Sequence, residues 1–135
     1  MNKASKRTRD NCKHLHYKLS LWVGYMLATC PVDFYVNEGL RSDEDQNKYY
    51  KQGTSKIDGY NKRGSHQDDL STPEKDSRAV DIYYVDWTNK DKNDGSRWKI
   101  LRESGEKCAD MLGIKLIYGY DWGWDSPHFE LAKGE

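Results

Sequence analysis

Along the first third of the chain, apolar residues recur at three- and four-residue steps: Leu15, Leu19, Trp22, Val23, Met26, Leu27 and Cys30. That is the period of one helical face, so the spacing predicts an amphipathic helix over residues 11–29, stopped before Pro31. Val32, Phe34 and Val36 then alternate with polar neighbours, which reads as a short strand ending at Gly39. Ser42 followed by Asp45 resembles a capping box and Gly53 a stop, outlining a second helix from about 43 to 52. Between Gly53 and Ser77 apolar residues nearly vanish, and an irregular loop of that length inside a compact domain is usually functional or mobile. AVDIYYV at 79–85 is β-branched and aromatic, the strongest strand in the chain, with Ala79, Asp81, Tyr83 and Val85 on one face. A polar turn around Lys90 to Gly95 leads into a helical face carried by Trp98, Leu101, Cys108 and Leu112 and ending at Gly113; short strands follow at 114–118 and 128–131. The expected architecture is α+β, a small, mainly antiparallel sheet flanked by helices, in one domain spanning residues 1–135.

Composition narrows the function classes. Lysine and arginine total 22 and aspartate and glutamate also total 22, so no net field favours nucleic acid or an acidic membrane as partner. The cationic start from Lys3 to Arg9 lacks the apolar segment and cleavage site of a secretory signal, and no apolar run approaches the ~20 residues that span a bilayer. Cys12, Cys30 and Cys108 are odd in number and widely spaced, which argues for a reducing compartment and for buried or idle thiols rather than disulfides or metal ligands. An aromatic content of 13% beside a charged fraction of 33% suits a polar surface with an aromatic-lined groove.

An aspartate in the middle of the strongest strand calls for a cation, because a buried carboxylate without a partner costs several kcal/mol. A lysine or arginine would serve Asp81, and His128, between proline and phenylalanine, reads equally as a packing residue. Taken together, however, His66, Asp81 and His128 form a donor set common at catalytic zinc, with three protein ligands and a fourth position for water. Zinc lowers the pKa of such a water to about 7, and a carboxylate must then take its proton. Asp125 is the nearest candidate. His14 and His16 are two apart on the expected helix and read as solvated or capping. Glu130 lies one strand step beyond His128 and faces the same way, as a partner for that histidine or as a surface charge. Trp122 and Trp124 wall the cleft or pack in the core.

The order of motifs is also informative. EGLRSDEDQNKYYKQGTS at 38–55, a histidine preceded by a serine at 65–66, AVDI at 79–82 and DSPHFEL at 125–131 resemble the zinc peptidases that comprise D-alanyl-D-alanine carboxypeptidases and phage L-alanyl-D-glutamate endopeptidases. The likeness runs from the first helix to Leu131. It implies the small α+β fold shared with the hedgehog signalling domain, a Zn2+ cofactor held by His66, Asp81 and His128, Asp125 as general base, and Arg41 steadying the oxyanion or the substrate carbonyl. Gln46, Ser65 and Trp122 are the implied substrate-groove residues, Gln46 as support rather than chemistry. Two departures stand out. Where the family has a serine and a glycine near the first histidine and the aspartate, this chain has Gly64 and Ser77. His66 and Asp81 are fifteen positions apart instead of the usual seven, so an insertion within QDDLSTPEKDS would bulge beside the metal and reshape the substrate groove without moving the ligands; the alternative is that its Asp68 and Asp69 compete for the ion.

The resemblance implies a peptidoglycan endopeptidase of the phage endolysin branch, a monomer without membrane insertion. It would be made in the host cytoplasm, reach the wall after holin-mediated release, and cut the stem peptide at L-alanyl-D-glutamate. A D-alanyl-D-alanine carboxypeptidase, a non-catalytic zinc-stabilised binding domain and a zinc-free packing domain are the alternatives.

Overall fold

The helix predicted over residues 11–29 starts later than its apolar period suggests, and a separate short helix precedes it. In the computed structural model, which describes residues 2–70, 73–88 and 95–135, α1 spans Lys6–Asn11 and α2 spans Tyr17–Thr29. The break falls at His16, whose Nδ1 accepts a hydrogen bond from the Lys18 backbone N–H at 3.2 Å and caps α2. Leu15 is buried although it lies outside both helices. Periodicity therefore located the buried face, but the helix start was misplaced, because a cap is a local hydrogen bond that hydrophobic spacing does not report.

The remaining elements are β1 (Phe34–Glu38), α3 (Asp43–Lys51), β2 (Ala79–Tyr84), α4 (Gly95–Leu112), β3 (Leu116–Tyr118), a 3₁₀ turn (Gly119–Trp122) and β4 (His128–Leu131). As the capping box implies, Ser42 Oγ accepts from the Asp45 N–H at 3.1 Å. Gly53, just past the end of α3, takes a positive φ of 76°. Val85 lies beyond β2 and is exposed, and Ile114 packs in the core instead of extending β3. Of the expected polar turn, Lys90 to Asp94 lie outside the described residues, and Gly95 already begins α4.

The four strands form one antiparallel sheet in the order β1–β2–β4–β3. Val80, Ile82 and Tyr84 of β2 and Phe129 and Leu131 of β4 face the buried core, against Trp22 and Met26 of α2 and Leu101 of α4. The two helices meet the sheet at Gly105: Trp22 Nε1 donates to its carbonyl at 2.9 Å, and a Cβ there would sit 2.9 Å from the Phe129 ring. Asp81 and Tyr83 leave β2 on the opposite face, as strand alternation requires. Asp81 is thus desolvated by the cleft beyond the sheet and not by the core.

The cationic start has a structural task. Thr8, 1% exposed, accepts a hydrogen bond from the Val36 N–H at 3.0 Å through Oγ1. Asn11 Nδ2 donates to the carbonyls of Val36 at 2.9 Å and Asn37 at 3.1 Å. Side chains of α1 thereby satisfy the outer edge of β1, which would otherwise be open to another strand. Thr8→Val keeps the side-chain shape but leaves the Val36 N–H buried without an acceptor, at a cost of about 1–3 kcal/mol. The expected readout is a lower urea midpoint with an unchanged m-value.

Candidate metal centre and active site

Strand register brings the first pair of site residues together. β2 and β4 pair so that Asp81 stands directly opposite His128, which puts both side chains on the same face of neighbouring strands. Asp81 Oδ1 lies 3.2 Å from His128 Nδ1 and 3.1 Å from His66 Nε2. His66 arrives from the long loop and is clamped by the segment after β1. Its Nδ1 donates to the Gly39 carbonyl at 2.9 Å, and its own carbonyl accepts from the Arg41 N–H at 2.8 Å. Both histidines are buried.

One ligating atom from each of His66, Asp81 and His128 lies within 4.8 Å of the others, and among the described residues no other group of His, Cys, Asp and Glu side chains qualifies as a metal site. The donor chemistry fits a cation at their common point. His128 Nε2 faces Glu130 Oε1 at 3.0 Å, while His66 Nδ1 faces the Gly39 carbonyl, so each ring has an acceptor oxygen on its outer nitrogen and the Asp81 carboxylate on its inner one. A neutral imidazole carries a single N–H. With that proton committed outward, the inner nitrogens point lone pairs at a carboxylate, an arrangement that a cation bound between them would satisfy; without the ion, a proton on the inner nitrogen takes that place. Burial disfavours the charge on Asp81, yet hydrogen bonds from His128 and His66 outweigh it and hold the carboxyl well below the usual range. Burial likewise opposes a charged His128, but Asp81 and Glu130 push its pKa up to about 9.

Around this centre opens a cleft of about 730 Å3 whose wall includes Ser65, Trp122, Trp124 and Asp125. Asp125 Oδ2 lies 3.9 Å from His128 Nδ1, and burial, helped by the negative charge of Asp81, raises its pKa above the ordinary value. Ser65 Oγ reaches His128 Nε2 only at 3.5 Å. The Trp122 ring packs 5.3 Å from that of His128. Asp68 and Asp69, the alternative carboxylates for the metal, are drawn elsewhere: Asp68 bonds Arg63 at 2.7 Å, and Asp69 lies 3.9 Å from Arg78. The residues expected at the site therefore all line the cleft, while its two acidic rivals stand apart from the donor group.

The sequence model of the phage L-alanyl-D-glutamate peptidases matches residues 1–133. The chain belongs to that family. Among solved structures, the Serratia marcescens L-Ala D-Glu endopeptidase ChiX is similar, with a TM-score of 0.73, 24% identity, and coverage of 94% of this chain and 87% of that one; this likeness is one of fold. No match is found among curated proteins. Membership places the peptidase with enzymes of the internal L-alanyl-D-glutamate bond, rather than with the carboxypeptidases or the binding domains of the same fold.

Gly64 and Ser77, the two residues that depart from the family motif, have local causes in this peptidase. A Cβ at Gly64 would approach Gln46 Oε1 to 2.9 Å, so the glycine makes room for that side chain. Ser77, fully buried, turns its Oγ onto its own strand, donating to the Ala79 carbonyl at 2.7 Å and accepting from the Ala79 N–H at 3.1 Å. Sequence reasoning missed Glu38, whose carboxylate accepts from Arg41 Nη2 at 2.8 Å. Its position three residues before Arg41 was the available signal. It also missed the Gly39 carbonyl and Gly119, where a Cβ would collide with the Asp125 carbonyl. Gln46, 1% exposed, ties this side of the cleft together: Oε1 accepts from Arg41 at 2.8 Å, and Nε2 donates to Ser55 Oγ at 3.0 Å and the Ile57 carbonyl at 2.9 Å. Gln46→Leu removes all three bonds at similar volume, and chemical denaturation should show a loss of about 1–3 kcal/mol.

Proposed function

We propose that this peptidase binds a zinc ion through His66 Nε2, Asp81 and His128 Nδ1, and cuts the amide between L-alanine and D-glutamate in the stem peptide of bacterial peptidoglycan. The observation that carries the reading is the pair of imidazoles with acceptors on both nitrogens, converging on one carboxylate at the base of an open cleft. Two histidines and one carboxylate are a common protein share of a catalytic zinc site. When bound, the ion would supply a Lewis acid for the scissile carbonyl and lower the pKa of a water.

The chain's own groups supply the rest. Asp125 takes a proton from the water whose oxygen adds to the alanyl carbonyl carbon, and returns it to the glutamate nitrogen as the C–N bond breaks. Arg41 is braced by Glu38 and Gln46, and its remaining N–H groups are available to the developing oxyanion. Glu130 and the Gly39 carbonyl hold the outer nitrogens of the two rings, fixing which nitrogen each presents inward. Trp122 and Ser65 border the substrate.

The phage family supports a wider setting: an endolysin that lyses the host and has bacteriolytic, antimicrobial activity. In this reading residues 1–135 act as one catalytic domain made in the host cytoplasm and released to the wall through a holin pore. No helix of the described residues is long and apolar enough to cross a membrane. Every group named in the site comes from one chain, which is compatible with a monomer.

Incubation with purified peptidoglycan should release fragments whose fresh amino terminus is glutamate, identified by mass spectrometry. Asp125→Ala should lower the rate about 10²–10⁴-fold while metal content is retained. Full activity in that variant would remove Asp125 from the mechanism, and a fresh terminal alanine would move the cleaved bond. Chelation should abolish turnover and zinc should restore it; protein that never takes up stoichiometric metal would sink the zinc assignment.

A further inference from the structure

Trp122 and Trp124 are left out of the core. Trp124 is 77% exposed and Trp122 41%, yet their rings stack with centroids 5.4 Å apart and planes 28° from parallel. Since Trp122 also sits 5.3 Å from the His128 ring, the two indoles form a ladder running outward from the metal centre along the cleft. Large aromatic faces exposed next to a cleft mark binding sites more often than idle surface.

The ladder stands on a fixed backbone. Gly119 packs so tightly on the Asp125 carbonyl that no side chain fits, and its Cβ position lies 2.8 Å from His128 Cβ. Gly123 turns the chain with a φ of 85°. Arg102 of α4 donates to both Asp121 oxygens at 3.0 Å and lays its guanidinium 3.9 Å over the Tyr118 ring. A ligand stacking on these indoles meets side chains whose backbone is already held in place, which lowers the ordering that binding must impose.

We infer that Trp122 and Trp124 form a subsite for a pyranose ring, the muramic acid that carries the stem peptide. The inference rests on the function proposed above and deepens it. In peptidoglycan the alanine nitrogen is joined to the lactyl group of that sugar, so the bond to be cut lies one residue from the ring. An extended residue spans ~3.6 Å and the lactyl group is of similar length, which sets the sugar at the reach of the ladder when the scissile carbonyl is beside His128. The C–H face of a pyranose carries partial positive charge and is complementary to the electron-rich face of an indole. The substrate is thereby oriented, with its glycan side on the tryptophans and its glutamate side toward the opposite end of the cleft.

The test compares N-acetylmuramyl-L-alanyl-D-isoglutamine with N-acetyl-L-alanyl-D-isoglutamine, which lacks the sugar. Binding is measured by calorimetry on the metal-loaded Asp125→Ala protein, which is not expected to turn either compound over. The sugar-bearing compound should bind about tenfold more tightly. Adding Trp124→Ala should remove most of that ratio, and Trp124→Phe should restore part of it. Trp124 is exposed, so its truncation does not touch the core. Equal affinities in the parent protein, no measurable binding of the sugar-bearing compound, or a ratio indifferent to Trp124→Ala each overturn the subsite and leave the indoles to another occupant. Failure of the wild-type enzyme to cleave either compound or whole peptidoglycan counts against the proposed hydrolysis instead, and the binding ratio still decides the sugar.

Discussion

A largely buried carboxylate held between two imidazoles is the constraint around which this structure is organised. Such a group is tolerated only when positive charge and hydrogen bonds offset its lost hydration. Here the partners of Asp81 come from two distant parts of the chain, and the core decides how they meet. Val80 and Ile82 on β2 and Phe129 and Leu131 on β4 are buried on one face, so the pairing of the two strands is set by apolar contact. A one-residue slip would turn those side chains outward. The same register places Asp81 opposite His128 on the other face. Packing on one side of the sheet therefore determines polar geometry on the other.

The neighbouring strand and the loop before β4 extend that control. β1 carries an irregularity between Val36 and Glu38 that brings Glu38 opposite Asp81, and the chain then runs through Gly39, whose carbonyl fixes the ring of His66. Gly39 is held against Asn11 so closely that a Cβ would meet its carbonyl. On the other side, the Ile82 N–H bonds the Pro127 carbonyl at 3.0 Å, and the His128 N–H bonds the Asp125 carbonyl at 3.1 Å. Asp125 and His128 thus belong to one turn that is sewn to the central strand. Groups held this way are placed before a ligand arrives, which is where a large part of a catalyst's advantage over solution originates.

Much of this was legible in the sequence, and what was not has a common physical cause. The antiparallel α+β plan followed from the period of apolar residues, the α3 cap from Ser42 and Asp45, and the convergence of His66, Asp81 and His128 from their chemistry together with the order of motifs. Glu130 was readable as far as its direction, because two residues along a strand is one face; only the structure shows it 3.0 Å from His128. The unread parts depend on backbone atoms and close approach. A carbonyl such as that of Gly39 has no letter in the sequence, the collision that forbids a side chain at Gly119 exists only once the loop has folded, and the break between α1 and α2 depends on a capping imidazole inside an otherwise continuous apolar period.

The long segment between His66 and Asp81 shows why an altered spacing leaves the donor group intact. Ser71 and Thr72 within it lie outside the described residues, but both of its ends are pinned. Gln67 is buried and bonds Asp43 and the Gly59 carbonyl, each at 2.9 Å. At the far end Ser77 pairs with Leu15 on one side and Asp68 on the other, with its N–H on the His14 carbonyl at 2.8 Å and its carbonyl accepting from the His16 N–H at 2.9 Å. Extra residues between two such fixed points add little closure entropy, which rises only by about 0.6 kcal/mol for each doubling of loop length. Their acidic side chains are also kept off the centre, because Arg63 engages Asp68 and Arg78 faces Asp69. Sequence distance between His66 and Asp81 is thus free to change, while their distance in space is set by Gly39, by the β2–β4 register and by the anchors at Gln67 and Ser77.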